Sequence, residues 1–216
     1  TRPVYDLRCG ILTLREKIRR LYTKADMALL CRPYLADVVR QQNPDMQVNE
    51  VHASQCLFMN GRVLADRSLA KKIPLKGDDA VYLSGDTAAG DTVVAVRVNG
   101  THAGGLPHDF SEVSLAEHFS ELRSVHVDVN LVEYPWDLVN SNGAQIVSDV
   151  ELFVKKSGIS RKTKIYPGVH IINKKNVHIV SGKNVKPGVV LDAENAPIVI
   201  GDTVKIFPNA VIEGPA

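Results

Sequence analysis

Pro167-Gly168-Val169, Pro187-Gly188-Val189 and Pro208-Asn209-Ala210 are three copies of one phrase, and their spacing decides how the C-terminal part of the chain folds. The copies start 20 and 21 residues apart. Each is flanked by aliphatic residues six positions apart: Ile165 and Ile171, Val185 and Leu191, Ile206 and Ile212. Ile200, ahead of Gly201-Asp202, extends the last series upstream. A period of six fits neither the turn of a helix nor the two-residue alternation of a simple hairpin. It fits a coil with three short faces, the pattern of a β-solenoid. Such a coil cannot bury its faces alone and needs something to pack on.

The whole chain has 216 residues, enough for one large domain or two modest ones. Its hydrophobic content of 44% and net charge of +2 are those of an ordinary globular protein, which argues against a disordered or fibrous chain. No apolar run approaches the roughly 20 residues that cross a bilayer. No signal-peptide pattern opens the chain, and the first residue is Thr1. Ile212 to Ala216 stop in mid-repeat, so the chain reads as a piece of a longer protein. Cys9, Cys31 and Cys56 form no C-x-x-C pair, and such a scattered set predicts reduced thiols in a cytoplasmic protein. Cys56, in the run Cys-Leu-Phe-Met, reads as a packing residue.

The near-zero net charge hides an uneven distribution. Residues 1–24 carry Arg2, Arg8, Arg15, Lys17, Arg19, Arg20 and Lys24 against Asp6 and Glu16. From Lys155 to Lys186 there are nine lysines and arginines and no acid. Such clusters are either solvated faces or phosphate sites. Aromatic residues are not interleaved with them, and no nucleic-acid-binding motif occurs, which argues against a nucleic-acid partner.

Thr13-Leu14-Arg15-Glu16 has the form of a capping box, and Leu14, Ile18 and Leu21 follow at helical spacing. Lys17 thus falls near a helix N-terminus, with Arg2 and Arg8 on the segment before it, a placement suited to phosphate. Cys56–Met59 predicts a buried strand ending in the Asn60-Gly61 turn, with Arg62 directly after. Val81–Leu83 and the valine-rich Thr92–Val98 predict two more strands. Ser114-Leu115-Ala116-Glu117 predicts another capped helix. Val125, Val127, Val129 and Leu131 alternate with His126, Asp128 and Asn130. Three such residues at alternate positions are either metal ligands or the polar side of a half-exposed strand, and any amphipathic strand yields the second. Tyr134-Pro135-Trp136-Asp137 then opens a helical stretch with Ile146, Val150 and Phe153, and Gly158 stands where a C-cap would. Composition changes there, so the domain boundary is placed near residue 158, with this helix as connector.

The opening run, Thr1-Arg2-Pro3-Val4-Tyr5-Asp6-Leu7-Arg8-Cys9-Gly10-Ile11-Leu12-Thr13-Leu14-Arg15-Glu16-Lys17, resembles the signature of a sugar nucleotidyltransferase family. That family is itself similar to the bifunctional N-acetylglucosamine-1-phosphate uridyltransferase/glucosamine-1-phosphate acetyltransferase. Met59-Asn60-Gly61-Arg62-Val63-Leu64, Tyr134-Pro135-Trp136-Asp137-Leu138 and Pro208-Asn209-Ala210-Val211-Ile212-Glu213-Gly214-Pro215 agree in the same order. The resemblance implies an α/β Rossmann-like nucleotidyltransferase domain over residues 1–157. It implies a left-handed parallel β-helix of hexapeptide repeats over 158–216, both incomplete at their outer ends. In such proteins the first domain couples a sugar 1-phosphate to a nucleoside triphosphate and releases pyrophosphate. The β-helix trimerises, and in the acetyltransferases it binds acetyl-CoA between neighbouring coils.

The chain departs from the better-known enzymes in several places. Their loop, G-x-G-T-R-M ending in Pro-Lys, is not intact; Thr1-Arg2-Pro3 stands as its remnant and Lys17 in place of its lysine. The resemblance implies Mg²⁺ held by an aspartate after a central strand. Asn60 stands at that strand end, and a neutral amide is a poorer ligand for a hard dication than a carboxylate. Asp86, after Gly85, is the substitute candidate, or simply part of a turn. Arg2, Arg8 and Lys17 are therefore the expected triphosphate contacts, and Asn60, Gly61 and Arg62 the expected sugar or base contacts. The alternatives for these cations are structural: Arg8 paired with Asp6, Lys17 solvated on its helix. His170 and His178 stand on the first coils and are read as surface residues, not as the acetyltransferase base. Two other functions compete: a hexapeptide-repeat acyltransferase with a ligand-binding N-terminal domain, and a non-catalytic structural trimer.

Overall fold

The computed structural model describes residues 2–85, 90–99, 119–154, 158–180 and 182–216. Thr1, Asp86, the box Ser114–Glu117, and Lys155 and Lys156 of the basic run lie outside the described residues. The chain forms two compact units, Thr1–Leu7 with Thr13–Glu133 and Arg8–Leu12 with Tyr134–Ala216. Composition changes near residue 158, whereas the compact units change at 133–134.

A single 3-10 turn, Val4–Asp6, leads to the short strands β1 (Arg8–Cys9) and β2 (Leu12–Thr13) and then to helix α1 (Leu14–Leu21). The capping box at its start is formed. Thr13 Oγ1 accepts from Glu16 N at 3.3 Å, and Glu16 Oε2 accepts from Thr13 N at 2.7 Å. Leu14, Lys17 and Ile18 are buried and Leu21 is half-buried. These four positions, spaced 3, 1 and 3, are one helical face.

Helix α2 (Ala36–Gln42) packs its Ala36 and Val39 with Leu29, Cys31, Leu35 and Val48 in a small core of its own. Strands β3 (Gln55–Met59), β4 (Ala80–Ser84), β5 (Thr92–Asn99) and β6 (Arg123–His126) then form one sheet in the order β3-β5-β4-β6, with the short helix α3 (Leu69–Lys72) between β3 and β4 in sequence. β5 is buried without a break from Val93 to Val98, as befits a central strand with both its faces covered. Ile18, Tyr22, Val63, Leu69, Ile73, Ala80, Tyr82 and Val94 form one core; Val81, Val93, Val96, Val98 and Phe119 form another. Arg97 interrupts the apolar residues of β5 and is still buried. Its guanidinium donates to Asp78 O and Pro74 O, both at 2.8 Å, and lies over the Tyr82 ring.

Among the described strands the sheet of the first unit is mixed. β5 runs antiparallel to both β3 and β4, and only β4 and β6 are parallel. Seven residues, 85–91, connect β4 to β5. A parallel crossover takes about a dozen or more, so this connection forces an antiparallel pair. The burial alternation predicted from Val125 to Leu131 is present, although β6 itself ends at His126.

In the second unit, helix α4 (Pro135–Phe153) begins on Tyr134, whose amide donates to Asp137 Oδ2 at 2.8 Å. Its C-cap is Val154, not Gly158. Gly158 instead starts the first coil: its carbonyl accepts from Ile179 N at 3.2 Å. The following strands stack in three parallel ladders. β7 (Lys164–Ile165) pairs with β10 (Asn184–Val185); β8 (His170–Ile172), β11 (Val190–Asp192) and β13 (Val211–Glu213) form the second; β9 (Val177–Ile179) pairs with β12 (Ile198–Ile200). Partners are 20 or 21 residues apart, the period of the repeated phrase, so Ile171, Leu191 and Ile212 stand in one column. Val177, Ile179, Val185, Val189, Leu191 and Ile198 fill the interior. The middle residue of each phrase is left-handed: Gly168 at φ 80, Gly188 at φ 77 and Asn209 at φ 62. Asparagine is the side chain that best tolerates that conformation, which is why the third copy keeps the turn without glycine. Among the described residues no helix is long and apolar enough to cross a membrane.

Candidate functional site

In the first unit the structure brings together two segments singled out from the sequence. A Cβ on Gly61 would lie 3.1 Å from Tyr5 Cδ1 and 3.3 Å from Val4 Cγ1. The turn Asn60-Gly61-Arg62 therefore lies directly against the segment that carries Arg2, and glycine is what permits the approach. Arg2 is exposed. Asp6, on the same segment, is engaged with Arg15: Oδ1 lies 2.6 Å from Arg15 Nε. Burial pushes the Asp6 carboxyl up, and the Arg15 and then the Arg2 charges pull it down. The partner of Asp6 is thus Arg15, where the structural alternative for Arg8 had been a pair with Asp6. Arg15 in turn donates to Asn43 Oδ1 at 2.8 Å.

Asn60 is a structural residue with an exacting local role. Its backbone N donates to Val94 O at 2.8 Å, its Nδ2 donates to Val93 O at 2.9 Å, and its Oδ1 accepts from Arg62 N at 3.0 Å. The side chain thus closes an Asx turn and staples it to β5. Only an amide supplies both the donor and the acceptor; an aspartate would turn an oxygen toward Val93 O. The Mg²⁺ implied by the family type does not fit this side chain, which is uncharged and committed to backbone at both ends. Among the described residues no three His, Cys, Asp or Glu side chains cluster to hold a metal. His126, Asp128 and Asn130 lie on the exposed side of their segment, with His126 Nε2 3.7 Å from Asp91 Oδ2. The backbone of Arg62 is paired as well, its carbonyl accepting from Val132 N at 2.9 Å.

Lys17 has 0% exposure, so it is not the solvated helix residue that was the alternative to a phosphate contact. It sits inside the Leu14, Ile18, Leu21 stripe, and that spacing was the available signal for its burial. The N-terminus of α1 is also occupied by protein groups: Leu14 N donates to Leu7 O at 3.0 Å, and Glu16 N to Thr13 Oγ1. An open concavity of about 500 Å³, lined by Arg40, Asn43, Asp45, Gln47 and Glu50 among others, holds none of the expected site residues.

Arg8 belongs to the second unit. It is exposed, and its Nη1 donates to Ile11 O in the same loop. That loop is fastened to α4 by three contacts. Cys9 Sγ donates to Leu138 O at 3.4 Å, Gly10 N to Asn142 Oδ1 at 2.8 Å, and Ile11 N to Asp149 Oδ2 at 2.9 Å. Asn142 and Asp149 are seven residues apart on α4 and so share a face. Gly10 has φ 77, and a Cβ there would overlap Asp149 Oδ2 and lie 2.9 Å from the Gln145 carbonyl carbon. Two blocks of the family-like signature, Arg8–Leu12 and the helix opened by Tyr134–Leu138, are thus one packed assembly. Neither Asn142 nor Asp149 stood out in the sequence, since a polar residue on a helix gives no sign of a partner more than a hundred residues away.

On the coils, His170 is exposed as expected. His178 is not a surface residue: it is 4% exposed, and its Nδ1 accepts from Gly158 N at 3.1 Å. Burial holds its pKa below the ordinary 6.5. A neutral imidazole accepting a backbone N–H secures the first coil and is not free to act as a base.

The first unit is thus a mixed α/β domain whose N-terminal segment carries the exposed Arg2 beside the Asn60–Arg62 turn. Residues 1–157 match the family described as sugar nucleotidyl transferase, and the chain belongs to that family. Its activity is nucleotidyl transfer, with a nucleoside triphosphate and a sugar phosphate as the substrates the family implies. No curated protein matches the chain significantly.

Proposed function

We propose that the protein forms a nucleotide sugar of the UDP-N-acetylglucosamine type from a nucleoside triphosphate and a sugar 1-phosphate. A phosphate oxygen of the sugar phosphate attacks the α-phosphorus. The bond from that phosphorus to the bridging oxygen breaks, and pyrophosphate leaves with the electron pair. The observation that carries this reading is the seating of the Asn60–Arg62 turn against the Arg2 segment within the family-matched region. Arg2 and Arg8 are both exposed, and each by itself is a candidate triphosphate contact that would offset charge on the phosphorus centre and the leaving group. Arg62, beside the turn, is the candidate sugar or base contact, with Asn60 and Gly61 shaping the backbone that presents it. Lys17 would reach a phosphate only if the buried face of α1 opened, and it is left out of the set. Mg²⁺ accompanies the triphosphate in this proposal with no protein ligand assigned.

The same proposal makes the C-terminal coil a left-handed parallel β-helix that holds a cytoplasmic homotrimer, which would cover its outward apolar residues such as Phe207 and Val211, both over 70% exposed. Acetyl transfer from acetyl-CoA to an amino-sugar phosphate would be a second activity of that region. The test is pyrophosphate release by the full chain with UTP, Mg²⁺ and N-acetylglucosamine 1-phosphate, extended to other nucleotides and common sugar 1-phosphates. Release with one pair is expected; none with any pair refutes the proposal. The commitment of Asn60 to the backbone favours one other reading, an N-terminal domain that binds nucleotide without turning it over. Its signature is nucleotide binding in calorimetry with no pyrophosphate released.

A further inference from the structure

We propose that Asp149 is a positioning residue for Arg8, acting through the loop of residues 8–12; the proposal rests on Arg8 being a phosphate contact, as read above. Ile11 is the link. Its N–H donates to Asp149 Oδ2 at 2.9 Å, and its carbonyl accepts from the Arg8 guanidinium. One peptide segment is therefore pinned from inside by a carboxylate and holds an exposed arginine on its outer side.

Asp149 is 1% exposed, although carboxylates are seldom buried to that degree. It also lies toward the C-terminal end of α4, where the helix dipole disfavours negative charge. A carboxylate kept there is compensated by the bonds it accepts, and a charged acceptor holds a backbone N–H more firmly than a neutral one. Its neighbour on the same face, Asn142, holds Gly10 N from an exposed position. Gly10, left-handed and without a side chain, is what lets the loop descend onto the helix. An arginine is a long side chain with many rotamers; fastening its guanidinium to a fixed carbonyl reduces the ordering that ligand binding would otherwise demand.

The experiment uses the full chain and the tightest binding of UTP, ATP, CTP, GTP and dTTP in calorimetry. Amide hydrogen exchange at Gly10 and Ile11 is measured beside it. Asp149→Ala is expected to speed exchange at Ile11 and to weaken nucleotide binding by about tenfold, the effect of losing one hydrogen bond to a charged group. In an Arg8→Ala background the same substitution is expected to weaken binding no further, because both changes act through one arginine. Asp149→Asn, whose Oδ1 still accepts, restores most of the protection and the affinity. If Asp149→Ala does not fold, Asn142→Ala, at an exposed position, must show the same dependence on Arg8. Equal weakening in both backgrounds, or unchanged exchange at Ile11, overturns the positioning role while leaving Arg8 as a phosphate contact. Unchanged affinity in Arg8→Ala alone removes Arg8 from the phosphate set, and the positioning role falls with it.

Discussion

Gly10→Ala is the substitution whose consequence the geometry specifies most closely. A Cβ at φ 77 carries the left-handed strain of an L-residue, about 1–2 kcal/mol. The new atom would also overlap Asp149 Oδ2 and stand 2.9 Å from Gln145 C and 3.0 Å from Gln145 O. The last two are helix backbone and cannot swing aside, so the loop must lift from α4. Lifting it breaks the Ile11–Asp149 bond, a hydrogen bond to a charged acceptor worth about 1.5–3 kcal/mol. The expected loss is about 2.5–5 kcal/mol in all. Gly168 provides the matched control. It has φ 80 in the same unit, but a Cβ there meets nothing closer than 3.9 Å, so Gly168→Ala carries the strain alone. Urea unfolding followed by fluorescence of Trp136, the single tryptophan, reports on the right unit even if the two units unfold separately. If the two alanine variants lose the same stability within about 0.5 kcal/mol, the contact with α4 contributes nothing and the clamp described above is wrong.

Asn60→Asp replaces a donor facing Val93 O by an acceptor and is expected to destabilise the first unit by about 1–3 kcal/mol. Added Mg²⁺ should not recover the loss; a thermal midpoint that rises with Mg²⁺ in this variant would show that the turn can hold the metal after all. His178 predicts a pH dependence. Its folded pKa is depressed, so the unfolded chain takes up its proton first as pH falls. The stability due to neutral burial is therefore full above 6.5 and declines as pH drops from 6.5 toward the lower folded value. Unfolding free energies of the wild type and His178→Asn, measured across that window, should differ in slope, and identical slopes would exclude the histidine as the cause.

Much of the scaffold was legible because its causes are local. The capping box at Thr13 and Glu16, the strand ending at Asn60-Gly61, the valine-rich β5 and the six-residue rhythm of the coils each depend on neighbours within one period. The site was legible only as a set of residue types. The burial of Lys17 could have been read from its place in the stripe with Leu14, Ile18 and Leu21, but an expectation of phosphate binding outweighed that spacing. The antiparallel β4–β5 pair could have been read from the seven-residue connection.

By itself the sequence determined the repeat period, the capped first helix, the family and the candidate cations, all consequences of short-range pattern or of matched residue order. Only the tertiary structure decided what those residues are used for. The amide of Asn60 is consumed by a carbonyl 33 residues away, and the amide of Ile11 by a carboxylate 138 residues away. His178 is enclosed by coils that come together only when the chain winds. A hydrogen-bond partner at such separations is chosen by which surfaces meet in the folded chain, and no local period records that choice.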